Sequence, residues 1–357
     1  MAKRLSILFT LFLVLAAAPL EAKTVIDASG RRVDVPEHIN RLVALGSSMA
    51  FVTYLQAQDL VVGVEAIDKR DNIAKPYILV NKERFMELPV VGTGGSMRIY
   101  NHEEIIKLKP DVVFLVPTTP NEADALQRKI RLPVVVLTSG YLVFDQDTFL
   151  NSIELAGKIL DRQDRARELT DYLRSLPGQL AFRPDEESRA YVGGLSSRGN
   201  RDITSTTTDS WPMRLAGIRN LMDGSGRRGQ FFVSKEYLLA LNPPLIFIDS
   251  NGLMLIREAA KKDPRFYARL KAFKDKNVWQ VLPHTSYLSN PEILYINAFL
   301  MAKAAYPEQY ENIDPQVKAD EIFTMFFLRP LYQHYLDNYG GFGRLELRGL
   351  ENAPVSH

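Results

Sequence analysis

Three arginines, one histidine and one tyrosine stand in segments where they could contact a charged ligand. Arg98 follows a glycine-rich run, and Arg198 and Arg201 lie in a polar stretch after an apolar one. A guanidinium group binds carboxylate, phosphate or catecholate oxygens through two parallel hydrogen bonds. His284 and Tyr287 follow another apolar run and could ligate iron or nickel through imidazole nitrogen and phenolate oxygen. These residue types favour an anionic ligand such as an acidic metal chelate.

Further candidate contacts occupy the positions that follow predicted strands. The carboxyl ends of parallel strands are where α/β sheets bind their ligands. The candidate ligand-contacting residues are Ser47, Ser48, Met49, Ser96, Arg98, Tyr141, Ser197, Arg198, Arg201, Trp211, His284 and Tyr287. The run Gly92–Ser96 lacks the Lys-Ser/Thr pair of a P-loop, so we expect it to bring backbone close to the ligand.

Several classes of function are disfavoured by what the sequence lacks. There is no cysteine, no His-x-x-x-His spacing, no H-E-x-x-H and no G-x-S-x-G motif, so thiolate metal sites and the common hydrolase motifs are excluded. The competing hypothesis of an exported hydrolase, with Ser47 or Ser197 acting with His284, lacks the second glycine of a nucleophile elbow. We therefore predict a binding protein without catalytic residues or a covalent cofactor.

The composition also restricts the partners. The 44 Lys and Arg residues nearly balance 42 Asp and Glu residues, giving a net charge of +2, so nucleic-acid binding has no electrostatic support. Lys3 and Arg4 precede an apolar run over 5–20, which is typical of a secretory signal peptide ending at Ala22. Because a lipoprotein anchor needs cysteine, we predict a periplasmic protein without a lipid anchor. We also expect it to be a monomer.

The order of apolar segments predicts an α/β fold. Residues 24–35 alternate apolar and polar around a Ser-Gly pair, which is typical of a hairpin. Strand and helix patterns alternate from residue 42 onward, which predicts βαβ units and parallel sheets. Apolar residues recur at three- and four-residue steps from about Asp147 to Leu176, which predicts one helix of about thirty residues. The α/β pattern restarts near residue 190.

Two segments repeat the same pattern at an offset of 133 residues. EEIIKLKPDVVF begins at Glu103 and EYLLALNPPLIF begins at Glu236. Each has a helical turn ending in Leu, then a Pro, then an apolar strand, so we expect two lobes of similar topology. Glu103 and Glu236 then occupy equivalent places in the first turns of two helices. Two such acidic residues suit a two-fold symmetric partner with basic pockets.

These motifs resemble those of the periplasmic substrate-binding proteins that serve ABC importers for ferric siderophores, haem and cobalamin. TVIDASGRRVDVP is similar to the opening hairpin of that family, and EEIIKLKPDVVF and VSKEYLLALNPPLIFID are similar to its equivalent lobe segments. The resemblance covers about residues 24–305. It implies two Rossmann-like lobes with mainly parallel sheets, joined by one long inter-lobe helix, with ligand in the cleft. It also implies that Glu103 and Glu236 dock onto arginines of an inner-membrane ABC permease dimer.

The domain organisation follows from the repeat and the resemblance. We predict a signal peptide at 1–22, an N-terminal lobe at 23–145, a linking helix at 146–177, a C-terminal lobe at 178–305 and a C-terminal helical extension and tail at 306–357. The chain after Gly341 is polar, so we expect it to be frayed.

The predicted function is capture of an iron–siderophore-like or other anionic metal chelate, with iron as the expected metal, for delivery to the permease. Cobalamin, haem and an oxoanion such as molybdate remain alternatives. Segments 191–206 and 283–307 resemble family members that bind metal chelates or oxoanions, but Ser197 and Arg201 stand where those often carry an aromatic residue and a histidine. A ligand-sensing subunit of a membrane signalling protein would share the fold and differ in what the two glutamates contact.

Overall fold

The computed structural model describes residues 22–70, 74–95, 98–116, 118–141, 143–196, 199–284 and 290–346. These residues form an α/β protein with two five-stranded sheets, one in each lobe. The predicted signal peptide lies outside the described residues except for Ala22. Within the described ranges, no helix combines the length and apolar character needed to cross a membrane.

The N-terminal lobe consists of a hairpin, a parallel sheet and four α-helices. Its elements are β1 (Ala22–Ile26), β2 (Arg32–Pro36), β3 (Leu42–Gly46), α1 (Ser48–Tyr54), β4 (Val61–Glu65), α2 (Pro76–Glu87), β5 (Val90–Gly92), α3 (His102–Lys107), β6 (Val112–Val116), α4 (Pro120–Ile130) and β7 (Val134–Val136). The sheet order is β5-β4-β3-β6-β7, with every neighbouring pair parallel. Strands β3, β6 and β7 are buried along their whole length, which explains their continuous apolar sequences.

The opening hairpin confirms the sequence prediction. Strands β1 and β2 pair in antiparallel register around a turn in which Gly30 has a positive φ of 81°. The carboxylate of Asp27 accepts hydrogen bonds from the backbone N–H groups of Ser29 and Arg31. The Arg31 guanidinium pairs with Asp27 and with Asp124 on α4. The hairpin is thereby fixed to α4, and the Asp27 carboxylate also accepts the backbone N–H of Val136 in β7 of the sheet.

The connection between the lobes is two helices, so the prediction of one long helix over 147–176 is wrong. Helix α5 (Gln146–Ile159) and helix α6 (Gln163–Gln179) are separated by a short turn in which Asp161 has a φ of 54°. A Cβ at Gly157 would lie 2.5 Å from the Ala166 side chain, so α6 packs closely against α5. Both helices bury their apolar residues in the same core, and the apolar period therefore continues across the turn.

The C-terminal lobe repeats the α/β arrangement. Its elements are β8 (Arg189–Gly193), β9 (Ser205–Thr207), α7 (Trp211–Leu215), β10 (Arg219–Asn220), β11 (Gln230–Phe232), α8 (Lys235–Leu241), β12 (Ile246–Asp249), α9 (Leu253–Lys262), α10 (Pro264–Arg269), α11 (Lys271–Lys274), β13 (Val278–Val281) and α12 (Pro291–Ala305). Strands β10, β8, β12 and β13 are parallel neighbours in that order, and β9 pairs with β11 in a separate antiparallel ribbon.

The structure confirms that the two repeated segments are equivalent. Helix α3 precedes β6 and helix α8 precedes β12, and these strands hold matching places in the orders β3-β6-β7 and β8-β12-β13. The side chains of Asn101 and Ser234, 133 residues apart, cap the two helices. The equivalence extends to the backbone, because Lys109 and Asn242 both adopt positive φ, 47° and 44°.

The C-terminal extension belongs to the folded body. It contains α13 (Pro315–Phe327), α14 (Tyr332–Tyr339) and β14 (Gly343–Arg344). Strand β14 pairs antiparallel with β13, and the side chain of Leu345 is buried. The prediction that the chain frays after Gly341 is therefore wrong for residues 342–346, since their backbone pairing outweighs their polar sequence.

Candidate functional site

The first side of the candidate site is the turn where β3 passes into α1. Gly46 has a φ of 66°, and a Cβ there would lie 1.5 Å from the carbonyl oxygen of Val116 at the end of β6. Only glycine fits this approach. The backbone N–H of Gly46 donates to the buried carboxylate of Glu65 at the end of β4. The carboxyl ends of three adjacent strands thus meet beside Ser47.

The second side is the end of β12 and β13 in the other lobe. The buried carboxylate of Asp249 lies 3.0 Å from Nδ1 of His284 and also accepts the backbone N–H of His284 at 3.2 Å. The backbone N–H of Asn251 donates to its other oxygen at 2.9 Å. Because Nδ1 faces the carboxylate, Nε2 is the ring nitrogen that can serve a ligand.

A group of buried polar residues joins the two lobes next to His284. This inter-lobe polar cluster consists of Tyr54, Asp68, Lys75, Tyr77, Asn290 and Glu292, and each of them is almost fully buried. The Lys75 ammonium donates to Oδ1 of Asn290 at 3.0 Å, and the Asn290 amide donates to the Ala74 carbonyl at 2.8 Å. The backbone N–H of Asn290 donates to the carbonyl of His284 at 2.8 Å. Lys75 of the N-terminal lobe is therefore linked to His284 of the C-terminal lobe through Asn290.

The same cluster contains two further buried carboxyl groups. The Tyr54 hydroxyl donates to Glu292 at 2.6 Å, and the Tyr77 hydroxyl donates to Asp68 at 2.8 Å. Burial raises the pKa of Glu292 to about 7 and that of Asp68 to about 6. Burial lowers the pKa of Lys75 to about 8, against the attraction of both carboxylates. Lys75 thus compensates one carboxyl group in each lobe, Asp68 in the N-terminal lobe and Glu292 in the C-terminal lobe.

The surroundings differ among three further predicted ligand contacts, Arg98, Arg201 and Tyr141. Arg98 hydrogen-bonds Tyr100, whose pKa is raised by burial against the opposing effect of that guanidinium. The Arg201 guanidinium lies 5.6 Å from the centre of the Phe232 ring, in a cation–π geometry. Tyr141 follows β7 and is 82% exposed, so its ring is free to contact a ligand.

Three predicted ligand contacts are packing residues instead. The Ser48 hydroxyl is buried and donates to the carbonyl oxygens of Leu45 and Phe114. Met49 is fully buried in the core. Trp211 packs edge-on against Phe144 and Tyr295, with ring centres 4.8 and 4.7 Å away. Ser47 is also mostly buried, at 7% exposed like Trp211. The sequence did not reveal this because burial depends on helices packed from elsewhere in the chain.

Four of the predicted contacts lie outside the described residues, namely Ser96, Ser197, Arg198 and Tyr287. Of the two predicted metal ligands, His284 and Tyr287, only His284 therefore lies within the described residues. In the described ranges, no group of three or more His, Cys, Asp or Glu side chains has the geometry to hold a metal ion.

The two predicted docking glutamates are exposed on equivalent helices. Glu103 and Glu236 are each the second residue of their helix, α3 and α8. Hydrogen bonds from the backbone N–H of Glu236 and from Ser234 hold the pKa of the Glu236 carboxyl below its usual range. Among the described residues, no lysine or arginine forms a salt bridge with either glutamate.

The inter-lobe polar cluster was missed by sequence reasoning. Glu292 is the only acidic residue in the otherwise apolar run of α12, PEILYINAFLMAKAA, and this was the signal available. Lys75 and Asn290 each precede a proline that begins a helix. Neither spacing indicates that the two helix starts meet, because they lie 215 residues apart in the chain.

Comparison with known proteins places this geometry in one family. A family model described as "Periplasmic binding protein" matches residues 43–283. The chain is 25% identical over 339 residues to the molybdate-binding protein MolA of Haemophilus influenzae, covering 88% of this chain and 93% of that protein.

Two solved structures share the fold. The structure of MolA bound to molybdate has a TM-score of 0.68 at 23% identity and covers 86% of this chain and 98% of its own. A periplasmic solute-binding protein from Veillonella parvula has a TM-score of 0.70 at 18% identity, with 89% and 97% covered. The chain therefore belongs to the family of periplasmic binding proteins that serve ABC importers.

Proposed function

We propose that this protein captures an anionic metal-containing ligand between its lobes and delivers it to an ABC permease, without catalysing a reaction. The observation that carries the proposal is the Asp249–His284 pair, which presents an oriented imidazole at the strand ends of one lobe. In the other lobe the exposed Tyr141 supplies a hydroxyl group, whereas Ser47 at the strand ends is mostly buried, at 7% exposed. An iron chelate with partly free coordination positions is the first candidate ligand.

A metal oxoanion such as molybdate is the second candidate. The observation that favours it is the similarity to MolA over 88% of the chain. An oxoanion needs hydrogen-bond donors rather than metal ligands. His284 serves either ligand, as an iron ligand through a neutral Nε2 or as a donor through a protonated one.

Binding to purified protein separates these candidates. The chain is isolated from its own periplasm and weighed by native mass spectrometry, then stripped and titrated with ferric citrate, sodium molybdate and sodium sulfate. We expect micromolar or tighter binding of ferric citrate or molybdate, and none of sulfate. Binding of no metal-containing anion at these concentrations contradicts the proposal. The same spectrum reports whether the protein is monomeric and whether residues 1–22 have been removed, both of which belong to the proposal.

Docking by Glu103 and Glu236 is the second part of the proposed function. Reversal of both charges, Glu103→Arg with Glu236→Arg, is expected to abolish uptake while ligand affinity stays unchanged, because both residues are exposed. Glu83→Arg with Glu258→Arg is the matched control, with one exposed glutamate reversed in each lobe. Uptake is measured in the source bacterium with the chromosomal gene deleted. Normal uptake by the Glu103/Glu236 variant contradicts the docking assignment and leaves the sensing alternative in place.

A further inference from the structure

Exposed apolar side chains gather around both docking glutamates. Among the described residues, twelve large apolar side chains are exposed, and four of these lie within four positions of Glu103 or Glu236. Ile99 and Ile106 flank the first glutamate, and Phe232 and Tyr237 flank the second. Single exposed apolar residues are ordinary. Here, however, apolar side chains are exposed beside an equivalent glutamate in each lobe, which requires a physical reason.

Ile99 and Phe232 are equivalent residues in the two lobes. They are separated by the same 133 residues as the glutamates, and each stands four positions before its glutamate. The residues that follow them, Tyr100 and Val233, pack against the lobe cores, as residues before a helix cap commonly do. Ile99 and Phe232 are 67% and 49% exposed, so neither is needed for that packing.

Hydrogen bonds and strand pairing order the backbone that carries both side chains. Ile99 exchanges hydrogen bonds with Thr93, whose N–H donates to its carbonyl at 2.9 Å and whose hydroxyl accepts its N–H at 3.0 Å. Phe232 is the last residue of β11 and pairs with Ser205 of β9. An interface residue on an already ordered backbone adds only its side-chain entropy to the cost of association. Both residues are therefore suited to act as anchors in an interface.

We propose that each lobe docks on the permease through a pair of residues, a glutamate with an apolar anchor, namely Glu103 with Ile99 and Glu236 with Phe232. The partner is the permease dimer, whose two equivalent subunits would each offer an apolar pocket beside a basic side chain. An apolar contact at the centre of an interface excludes water and strengthens a neighbouring ion pair. This inference rests on the docking role proposed above for the two glutamates.

The test is uptake by the full chain in the source bacterium with the chromosomal gene deleted. Radiolabelled ferric citrate and radiolabelled molybdate are the two probes, and purified protein provides the ligand affinity. Ile99→Ser and Phe232→Ser are each expected to lower uptake several-fold, and the double variant by at least about tenfold. Because the Phe232 ring contacts Arg201, a predicted ligand contact, uptake by every variant is compared at ligand concentrations that saturate its measured affinity.

Two control substitutions match the anchors in exposure. Val317→Ser, at a residue 64% exposed, matches Ile99, and Met254→Ser, at a residue 45% exposed, matches Phe232. Both controls are expected to take up ligand normally. If the anchor variants behave like the controls while the Glu103/Glu236 charge reversal abolishes uptake, the apolar anchors are rejected and the glutamate docking stands. If neither set affects uptake, both assignments fall.

Discussion

Asp249 accepts three hydrogen bonds at the end of β12, two of them from His284. A carboxylate in this place fixes both the orientation of the imidazole and the nitrogen that carries the proton. The sequence identified His284 by its position after a strand, but it did not identify Asp249. An Asp at the end of a buried strand has many ordinary uses, and only the pairing of β12 with β13 brings these two residues together.

Substitution of Asp249 therefore tests whether the oriented imidazole contributes to binding. Asp249→Asn cannot accept every hydrogen bond of the native carboxylate, so we expect ligand affinity to fall on the order of tenfold. Ligand titration by calorimetry measures the affinity. Asp275→Asn, at a partly exposed residue after α11, is the control and should bind normally. An unchanged affinity in a folded Asp249→Asn protein would show that the Asp249 carboxylate does not contribute to ligand binding.

The starts of α2 and α12 meet through Lys75 and Asn290, and this contact joins elements of different lobes. The proline and the apolar run that begin and extend α12 are local features of the sequence. The sequence could not predict the meeting with α2, because that depends on how the two lobes are set against each other. The same reason explains the missed turn between α5 and α6, where a shared core preserves the apolar period across a break.

Removal of Lys75 is predicted to destabilise the protein more at pH 8 than at pH 6. Burial already raises the pKa of Glu292 to about 7, and Lys75 opposes that rise. Without the lysine, the pKa of Glu292 in the folded state moves further above its unfolded value. Ionisation of this buried carboxyl group then destabilises the folded state as the pH rises through that pKa. The cost of Lys75→Met at pH 8 is expected to be less than the about 3–5 kcal/mol of a fully charged buried pair, because burial lowers the pKa of Lys75 to about 8 and the lysine is only half charged at that pH.

Substitution of Glu292, the carboxyl partner of Lys75, tests the same explanation from the other side. Glu292→Gln can still accept the Tyr54 hydrogen bond, so Lys75→Met with Glu292→Gln should be more stable at pH 8 than Lys75→Met alone. Urea unfolding at pH 6 and pH 8 measures the free energy of unfolding of the native protein, the two single variants and the double variant. If the cost of Lys75→Met does not depend on pH, Glu292 is not the group that the lysine compensates.

The largest apolar core runs through both lobes and the C-terminal extension. It contains Phe51 of the first lobe, Val192 of the second and Phe326 of α13. One smaller core belongs to the N-terminal lobe alone, and the other belongs to the C-terminal lobe together with Leu345 of the extension. The extension closes the structure, because the ring of Phe326 lies 4.8 Å from that of Tyr54 and also contacts Phe149. Sequence patterns predicted the two lobes but gave no sign that they share a core.

A shared core predicts that the whole molecule unfolds as one unit. We expect a single calorimetric transition, with equal calorimetric and van't Hoff enthalpies. Phe326→Ala removes a fully buried ring at a cost of about 3–5 kcal/mol and should lower the transition temperature by several degrees without splitting it. Val317→Ser, on the exposed face of the same helix, should leave the transition unchanged. Two resolved transitions would mean that the lobes fold separately, and the inter-lobe polar cluster could then not hold His284 in place.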